Sequence, residues 1–495
     1  HLTNGDYVSR TLEIYFYVEW VLGVQRNESY RFHVLNFDKD TNCLKVVNRY
    51  NNEFAAGSAF IGANLPIESF TTDRSEFLGR NRDRRMPYFL ERRMMSTLTN
   101  LIKSPRSREK LSGTLTPMGD TCGVISLRVE LEPREERDVL FYIGHAETES
   151  AVEEAASRYS LLQERERALS EQHGFWKTTT DALQVYTPDD SFNIIMNGWL
   201  QYQNLSCRIW GRSAFYQSGG AYGYRDQLQD SLALLYVRPD YVKEQILLHA
   251  SRQFVEGDVQ HWWHPPTGRG VRTRISDDYL WLPFVVNRYL EVTGDYSILD
   301  EVVPFIEGPH LEGEHMEAYI VPEVSSHSGS LYEHCIIALD RSLSFGPHGI
   351  PLIGCGDWND GMNEVGIKGR GESVWLGWFI YHLLECFAPI VENRNDQYRA
   401  NLYRDRSGDI ATAIEKHAWD GDWYLRAFFD DGRPLGSSSN DECQIESLAQ
   451  SWSVLAGGGE EGRSERAMER VYDRLVKAGE GGLQWLEPPC DSGPL

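Results

Sequence analysis

Gly369-Arg370-Gly371-Glu372-Ser373-Val374-Trp375-Leu376 passes from a glycine-rich polar loop into an aromatic helical stretch that reaches Phe387, and this unit decides the fold of the C-terminal part. The theme recurs without repeating its letters. Ser218-Gly219-Gly220 leads into 226–236, Gly268-Arg269-Gly270 into 277–289, and Gly436-Ser437-Ser438-Ser439 into 443–455. Apolar residues in these stretches keep helical spacing, and further helices are expected at 240–254 and 405–418. Helix pairs whose loops gather at one end describe a toroid of α-hairpins. Its inner helices begin at the cleft, where their N-termini favour an anion.

Just upstream, Gly354-Cys355-Gly356-Asp357-Trp358-Asn359-Asp360-Gly361-Met362-Asn363 brings acids, amide and indole together between glycines. That set suits a sugar. The apolar face of a pyranose stacks on Trp358, its hydroxyls are bound by Asn359 and Asp357, and the glycosidic oxygen needs a proton donor. Asp360 is the candidate donor. The same ten residues also read as a polar turn capping a helix, and by themselves they leave turn and site open. The long polar flanks, 340–349 and 369–376, favour a ligand cleft.

Two further stretches carry polar chemistry. Within 212–230, Arg225-Asp226 beside paired glycines offers a fork of donors plus an acceptor for hydroxyls or phosphate, or a pair that merely caps its helix. The loop 261–278 mixes His261, Trp262, Trp263 and His264 with Arg274 and Asp277. Two histidines without a third ligand make a weak zinc site, so stacking and hydroxyl or phosphate binding are the expectation, with no metal. Glu333-His334 reads either as a support for the acid loop or as a buried structural pair.

A chain of 495 residues exceeds one ordinary core, which predicts two domains. Hydrophobic residues make up 41% and charged residues 25%, a globular balance, and no run reaches the length of a membrane span. A net charge of -24 argues against nucleic acid and anionic lipid as partners. Carbohydrate fits better, with 14 Trp and 25 Tyr as flat surfaces for it. The 8 cysteines stand singly, which reads as free thiols in a reducing, cytoplasmic setting, of a free protein or of a domain of an inner-membrane protein, or else as cysteines that pair across the fold. The chain starts at His1 without signal-peptide character, so removal of an upstream segment is expected.

The N-terminal texture is β. Leu12 to Trp20 is rich in aromatic and β-branched residues, and Val124 to Leu131 alternates apolar with polar, which predicts an antiparallel β-sandwich over 1–147. Arg80, Arg82, Arg84, Arg85, Arg92 and Arg93 form a basic cluster, read as a solvated or interdomain surface or as an attractor for an anionic substrate. Ala and Glu dominate 149–181, which makes 148–185 a helical linker ahead of the catalytic domain at 186–495. No Pro/Gly-rich tether intervenes, so the domains are expected to pack.

Taken together, 216–230 (YQSGGAYGYRDQLQD), 270–283 (GVRTRISDDYLWLP), 331–335 (LYEHC), 354–366 (GCGDWNDGMNEVG) with 369–379 (GRGESVWLGWF), and 445–455 (IESLAQSWSVL) resemble glycoside phosphorylases of family 94, the cellobiose and chitobiose phosphorylase group. The forms are most similar to the branch holding β-1,2-oligoglucan phosphorylases and the phosphorylase-like domain of cyclic β-1,2-glucan synthases. The resemblance implies an α+β multidomain chain with a β-sandwich, a helical linker and an (α/α)6 barrel, truncated here. It implies phosphorolysis of a β-linked oligosaccharide, with inorganic phosphate as co-substrate, no cofactor, inversion at the anomeric carbon, and a homodimer. Residue by residue, it makes Asp360 the general acid and places Arg212, Arg225, Asp226 and Trp358 around the sugar whose bond breaks. Substrate binding is also assigned to Asp357, Asn359, Arg274 and Asp277. One acid suffices because phosphate is already an anionic nucleophile, whereas an inverting hydrolase needs a second carboxylate to activate water. Asp360 must hold a proton near neutral pH, which calls for burial against Trp358 and Asp357. The family's phosphate-gripping His motif and Thr-Gly pair follow the point where this chain stops at Leu495, so a fragment of a longer protein with little activity of its own is expected.

Overall fold

The structure is a computed structural model that describes the chain apart from residues 24, 51–56, 101–108, 117, 212–219, 314, 478, 480 and 491–495. Two compact units divide it, His1–Thr178 and Thr179–Leu495.

The first unit is a sandwich of antiparallel sheets. Arg10–Val18 pairs along its length with Thr121–Leu131, from Arg10 opposite Leu131 to Val18 opposite Gly123, and Ser69–Asp73 joins on the other side. His33–Asp38, Cys43–Asn48, Ser58–Ala63 and Phe141–Ala146 form the second sheet in that order. Side chains alternate across each strand. Leu44, Val46 and Ile61 meet Ile125 and Leu127 between the sheets. On the outer faces, Cys43 and Phe60 lie under Val152 and Ala156 of the helix Glu149–Tyr159, while Cys122 and Val124 lie under Phe77 and Phe89. The expected polar alternation in 124–131 is therefore confined to its far end, where Arg128 and Glu130 are exposed. The rest of that strand is covered on both faces. Half of the basic cluster is paired locally, Arg82 to Glu91, Arg92 to Glu109 and Arg93 to Glu13, while Arg80, Arg84 and Arg85 are exposed.

The second unit is built of helical hairpins. Tyr224–Leu232, Trp281–Thr293, Val374–Asn393 and Ser447–Ala456 stand side by side in that order as an inner layer. Each is followed by an outer partner: Pro239–Ala250, Leu331–Ser342, Gln397–His417 and Arg463–Leu475. The expected 277–289 and 443–455 helices start four residues later, because 278–280 is a 3-10 turn and 445–446 pairs as a strand. The expected 405–418 helix starts at Gln397, where Asp396 caps the N–H of Arg399.

The inner layer is held by aromatics. Phe379 lies 4.9 Å from Trp281 and 4.9 Å from Trp452, so three consecutive inner helices meet on one ring. Trp375 and Trp378 are fully buried. Many of the indoles that suggested sugar platforms are thus core. The same apolarity corrects the expectation about membrane-length runs: Val374–Asn393 is 20 residues long and apolar enough to span a bilayer, and 72% of its apolar window is buried within the protein. Glu333 closes a capping box with Ser330, while His334 is buried and bonded to Gln253 and the Val303 carbonyl, so the two form neither a buried pair nor a support for the acid loop. Trp375→Ala is expected to cost about 3–5 kcal/mol, the range for emptying a buried aromatic site, read as a lower urea midpoint.

Candidate active site

The acid loop is held from both sides. Its apolar residues Ile353, Met362 and Val365 are buried against Ala427, Leu435 and Cys443. Its backbone is stitched to the preceding loop: Ser276 donates to the Gly356 carbonyl from its N–H at 3.0 Å and its hydroxyl at 3.1 Å, and Gly354 bridges to Ile275. Gly354 has φ +66°, and a Cβ there would lie 2.2 Å from the Arg274 carbonyl oxygen, so only glycine fits. Beyond it the chain turns sharply. Asp357 points inward with no exposure, whereas the Asp360 side chain is 62% exposed. Trp358 is 43% exposed, an open indole face at the mouth. Asn359 donates its N–H to Asp357 Oδ1 and accepts from the Gly361 N–H, so the turn and the site coexist in one segment.

The starts of the four inner helices converge on this loop, and each supplies one side chain. Ser373, the N-cap of Val374–Asn393, donates its hydroxyl to Asp357 Oδ2 at 2.6 Å. Arg225, in the first turn of Tyr224–Leu232, donates Nη1 to Asp277 Oδ1 and to the Asp357 carbonyl, both at 2.7 Å, and Nη2 to Asp360 Oδ1 at 2.5 Å. Asp277, at the start of the second helix, also accepts from the Trp281 indole at 2.9 Å. Glu446, the N-cap of Ser447–Ala456, accepts from the Trp485 indole at 2.8 Å and lies 2.7 Å from Arg426 Nε. Arg426 completes the network, with Nη2 2.6 Å from Asp357 Oδ1 and Nη1 3.2 Å from Ser373 Oγ.

Burial and charge oppose one another here. For Asp357 burial pushes the pKa up, but Arg426, Ser373 and the Asn359 N–H outweigh it and hold the carboxyl below its usual range. At Glu446 burial wins over Arg426, and the pKa is pushed up to about 7. Asp277 is raised, first by burial. Burial also works against charge on His261, yet its 2.8 Å contact with Asp278 prevails and its pKa rises to about 9.

Arg225, Asp277, Asp357 and Asp360 are therefore brought together, with Trp358 and Asn359 beside them. Arg212 lies outside the described residues. Asp226 is exposed one residue beyond Arg225, its carboxylate lying over Gly223. Arg274 turns away and donates to the carbonyls of Leu311 and Gly313. The burial expected for Asp360 is not found: it sits at the mouth, facing Arg225 rather than an apolar wall. Arg426, Glu446, Ser373 and His261 were not singled out by sequence reasoning. Arg426 left a signal, since it stands alone in the otherwise apolar run Trp423 to Phe428.

The profile of the glycosyl hydrolase 94 superfamily catalytic domain matches residues 175–494, and that of the glycosyl hydrolase 94 supersandwich domain matches residues 1–161. The chain belongs to glycosyl hydrolase family 94. It is 41% identical over 99% of its length to a cyclic β-(1,2)-glucan synthase of Rhizobium meliloti, of which it spans 17%. It is 28% identical over 96% of its length to a solabiose phosphorylase of Paenibacillus borealis, and 24% identical over 96% to an N,N'-diacetylchitobiose phosphorylase of Vibrio furnissii. Of these family 94 phosphorylases it spans 57% and 59% respectively.

Two predictions rest on the buried network. Arg426→Ala leaves Asp357 and Glu446 without their cation and is expected to destabilise the fold by about 3–5 kcal/mol in denaturant titration. Glu446 has a folded pKa of about 7 against an ordinary 4.5, so its protonated form contributes stability that is complete below pH 4.5 and lost as pH rises through 7. Glu446→Gln is expected to flatten that part of a plot of Tm against pH.

Proposed function

We propose that this chain cleaves a β-linked gluco-oligosaccharide by inverting phosphorolysis. Asp360 gives its proton to the glycosidic oxygen as that bond breaks, and a phosphate oxygen attacks the anomeric carbon from the opposite face, releasing α-glucose 1-phosphate and a shortened chain. One observation carries the reading. Of the carboxylates on the acid loop's Asp357–Asp360 turn and in the Asp277–Asp278 pair, Asp360 alone is exposed, while Asp357, Asp277 and Asp278 are buried against Arg426, Arg225 and His261. The donor is available, and those three are tied up rather than poised to activate water. Arg225 donates Nη2 to Asp360 Oδ1 and so positions the acid, while the helix N-termini around the loop suit an anionic nucleophile. Trp358 offers the sugar a face, and a sugar seated over the exposed Asp360 side chain desolvates it.

A β-1,2-glucan is the preferred substrate in this proposal, supported by the 41% identity to a protein named for that linkage. The same identity favours a second reading, in which the chain trims glucan as part of a larger synthase. Both predict glucose 1-phosphate from sophorose only when inorganic phosphate is present; free glucose formed without phosphate would instead identify a hydrolase. Asp360→Asn is expected to lower the phosphorolytic rate by about 10²–10⁴-fold, the usual weight of a general acid, with little change in Tm. Trp358→Ala is expected to raise KM by about 2–10-fold, the weight of one aromatic contact.

A further inference from the structure

A cavity of about 550 Å³ lies behind the acid loop, sharing Gly354 with it but lined by neither Asp360 nor Trp358. Its volume suits a sugar unit. Its floor is rigid. Arg272, 2% exposed, donates Nε and Nη2 to the two Asp258 oxygens at 2.6 and 2.8 Å, Nη2 also to Glu256 Oε2 at 3.0 Å, and Nη1 to the carbonyls of Gly308 and Pro309 at 3.2 and 3.1 Å. All its donors are spent within the protein, so it offers none to an anion. It fixes two carboxylates whose remaining lone pairs are acceptors on the cavity wall.

Donors line the same cavity. Tyr279 is 8% exposed and lines the cavity, and its hydroxyl makes no hydrogen bond with another described residue. Arg341 commits Nη1 to the Glu256 carbonyl at 2.9 Å and keeps its other N–H groups, and the Ser344 hydroxyl is likewise uncommitted among the described residues. Fixed acceptors and spare donors in one cavity match the vicinal hydroxyls of a neutral sugar, which both donate and accept, whereas phosphate has little to donate to the two carboxylates.

We infer that this cavity is a second carbohydrate site, taking a glucosyl unit apart from the one cleaved at Asp360; the substrate class rests on the proposed function. Ile275 and Ser276 line it and also hold Gly354 and Gly356, so a sugar bound there braces the entry to the acid loop.

Calorimetric titration of the full chain with sophorose tests this, in an Asp360→Asn background that prevents turnover. Two classes of site are expected. Ser344→Trp, which fills the cavity from an exposed position, should remove one class, and Trp358→Ala should weaken the other about 2–10-fold. Tyr279→Phe, which deletes a single oxygen, should weaken the cavity site about five-fold, the weight of one neutral hydrogen bond. A single class weakened by Trp358→Ala and untouched by Ser344→Trp overturns the second site and leaves the cleavage site standing. No binding of sophorose at all overturns the carbohydrate reading of both. Binding of inorganic phosphate that Ser344→Trp abolishes, with sophorose unaffected, overturns the ligand class.

Discussion

A guanidinium and a carboxylate, both without solvent exposure, hold the acid-loop end of the helical unit together: Arg426 and Asp357, 2.6 Å apart. Removing two charges from water is costly, and mutual attraction offsets that cost only where every remaining donor and acceptor is also engaged. Here they are. Asp357 takes Ser373 and the Asn359 N–H as well, and Arg426 also meets Ser373 and Glu446. Because Ser373 and Glu446 are the first residues outside two inner helices, the pair ties the acid loop to the helical layer at two points.

This arrangement separates two kinds of carboxylate within four residues of chain. Asp357 is spent on architecture, and its low pKa keeps it charged against Arg426. Asp360 stands on the far side of the turn, fixed by Arg225 but open to whatever enters the cleft. Arg225 in turn is oriented by Asp277 and by the Asp357 carbonyl, so the orientation of the exposed acid derives from the buried one. Helix N-termini gather around these groups, and their unsatisfied N–H groups suit the carboxylates placed there and an incoming anion alike. A reaction in which charge moves between a sugar, a proton donor and phosphate gains from such a preset field, since little must reorganise when the bond breaks.

Rigidity around the acid loop comes from apolar anchors rather than from length or covalent links. Ile353, Met362 and Val365 sink into a cluster with Ala427, Leu435 and Cys443, and the polar residues between them are left to face the cleft. The sandwich unit solves a different problem, covering each sheet on both sides: Phe60 is shielded by a helix and Val124 by Phe77 and Phe89.

Periodicity alone determined the order of the architecture. Residues 12–20 read as a strand because β-branched and aromatic residues crowd them and 124–131 because apolar and polar residues alternate, where strands run at 10–18 and 121–131, and the loop-then-helix theme marked the inner helices because each follows a glycine-bearing polar loop. Asp360, Trp358 and Arg225 stood out locally as acid, indole and guanidinium packed among turn residues, but turn and site stayed open until the family resemblance suggested their roles. What lay beyond local reading is everything decided by distance in space. Arg426 lies 69 residues from Asp357 and Glu446 is 20 further on, so no spacing rule links them, and only closure of the helical layer makes them partners. The exposure of Asp360, the turn of Arg274 towards Leu311 and Gly313, and the burial of Trp375 were likewise settled by packing, because burial belongs to the neighbours that tertiary structure supplies and not to the residue type.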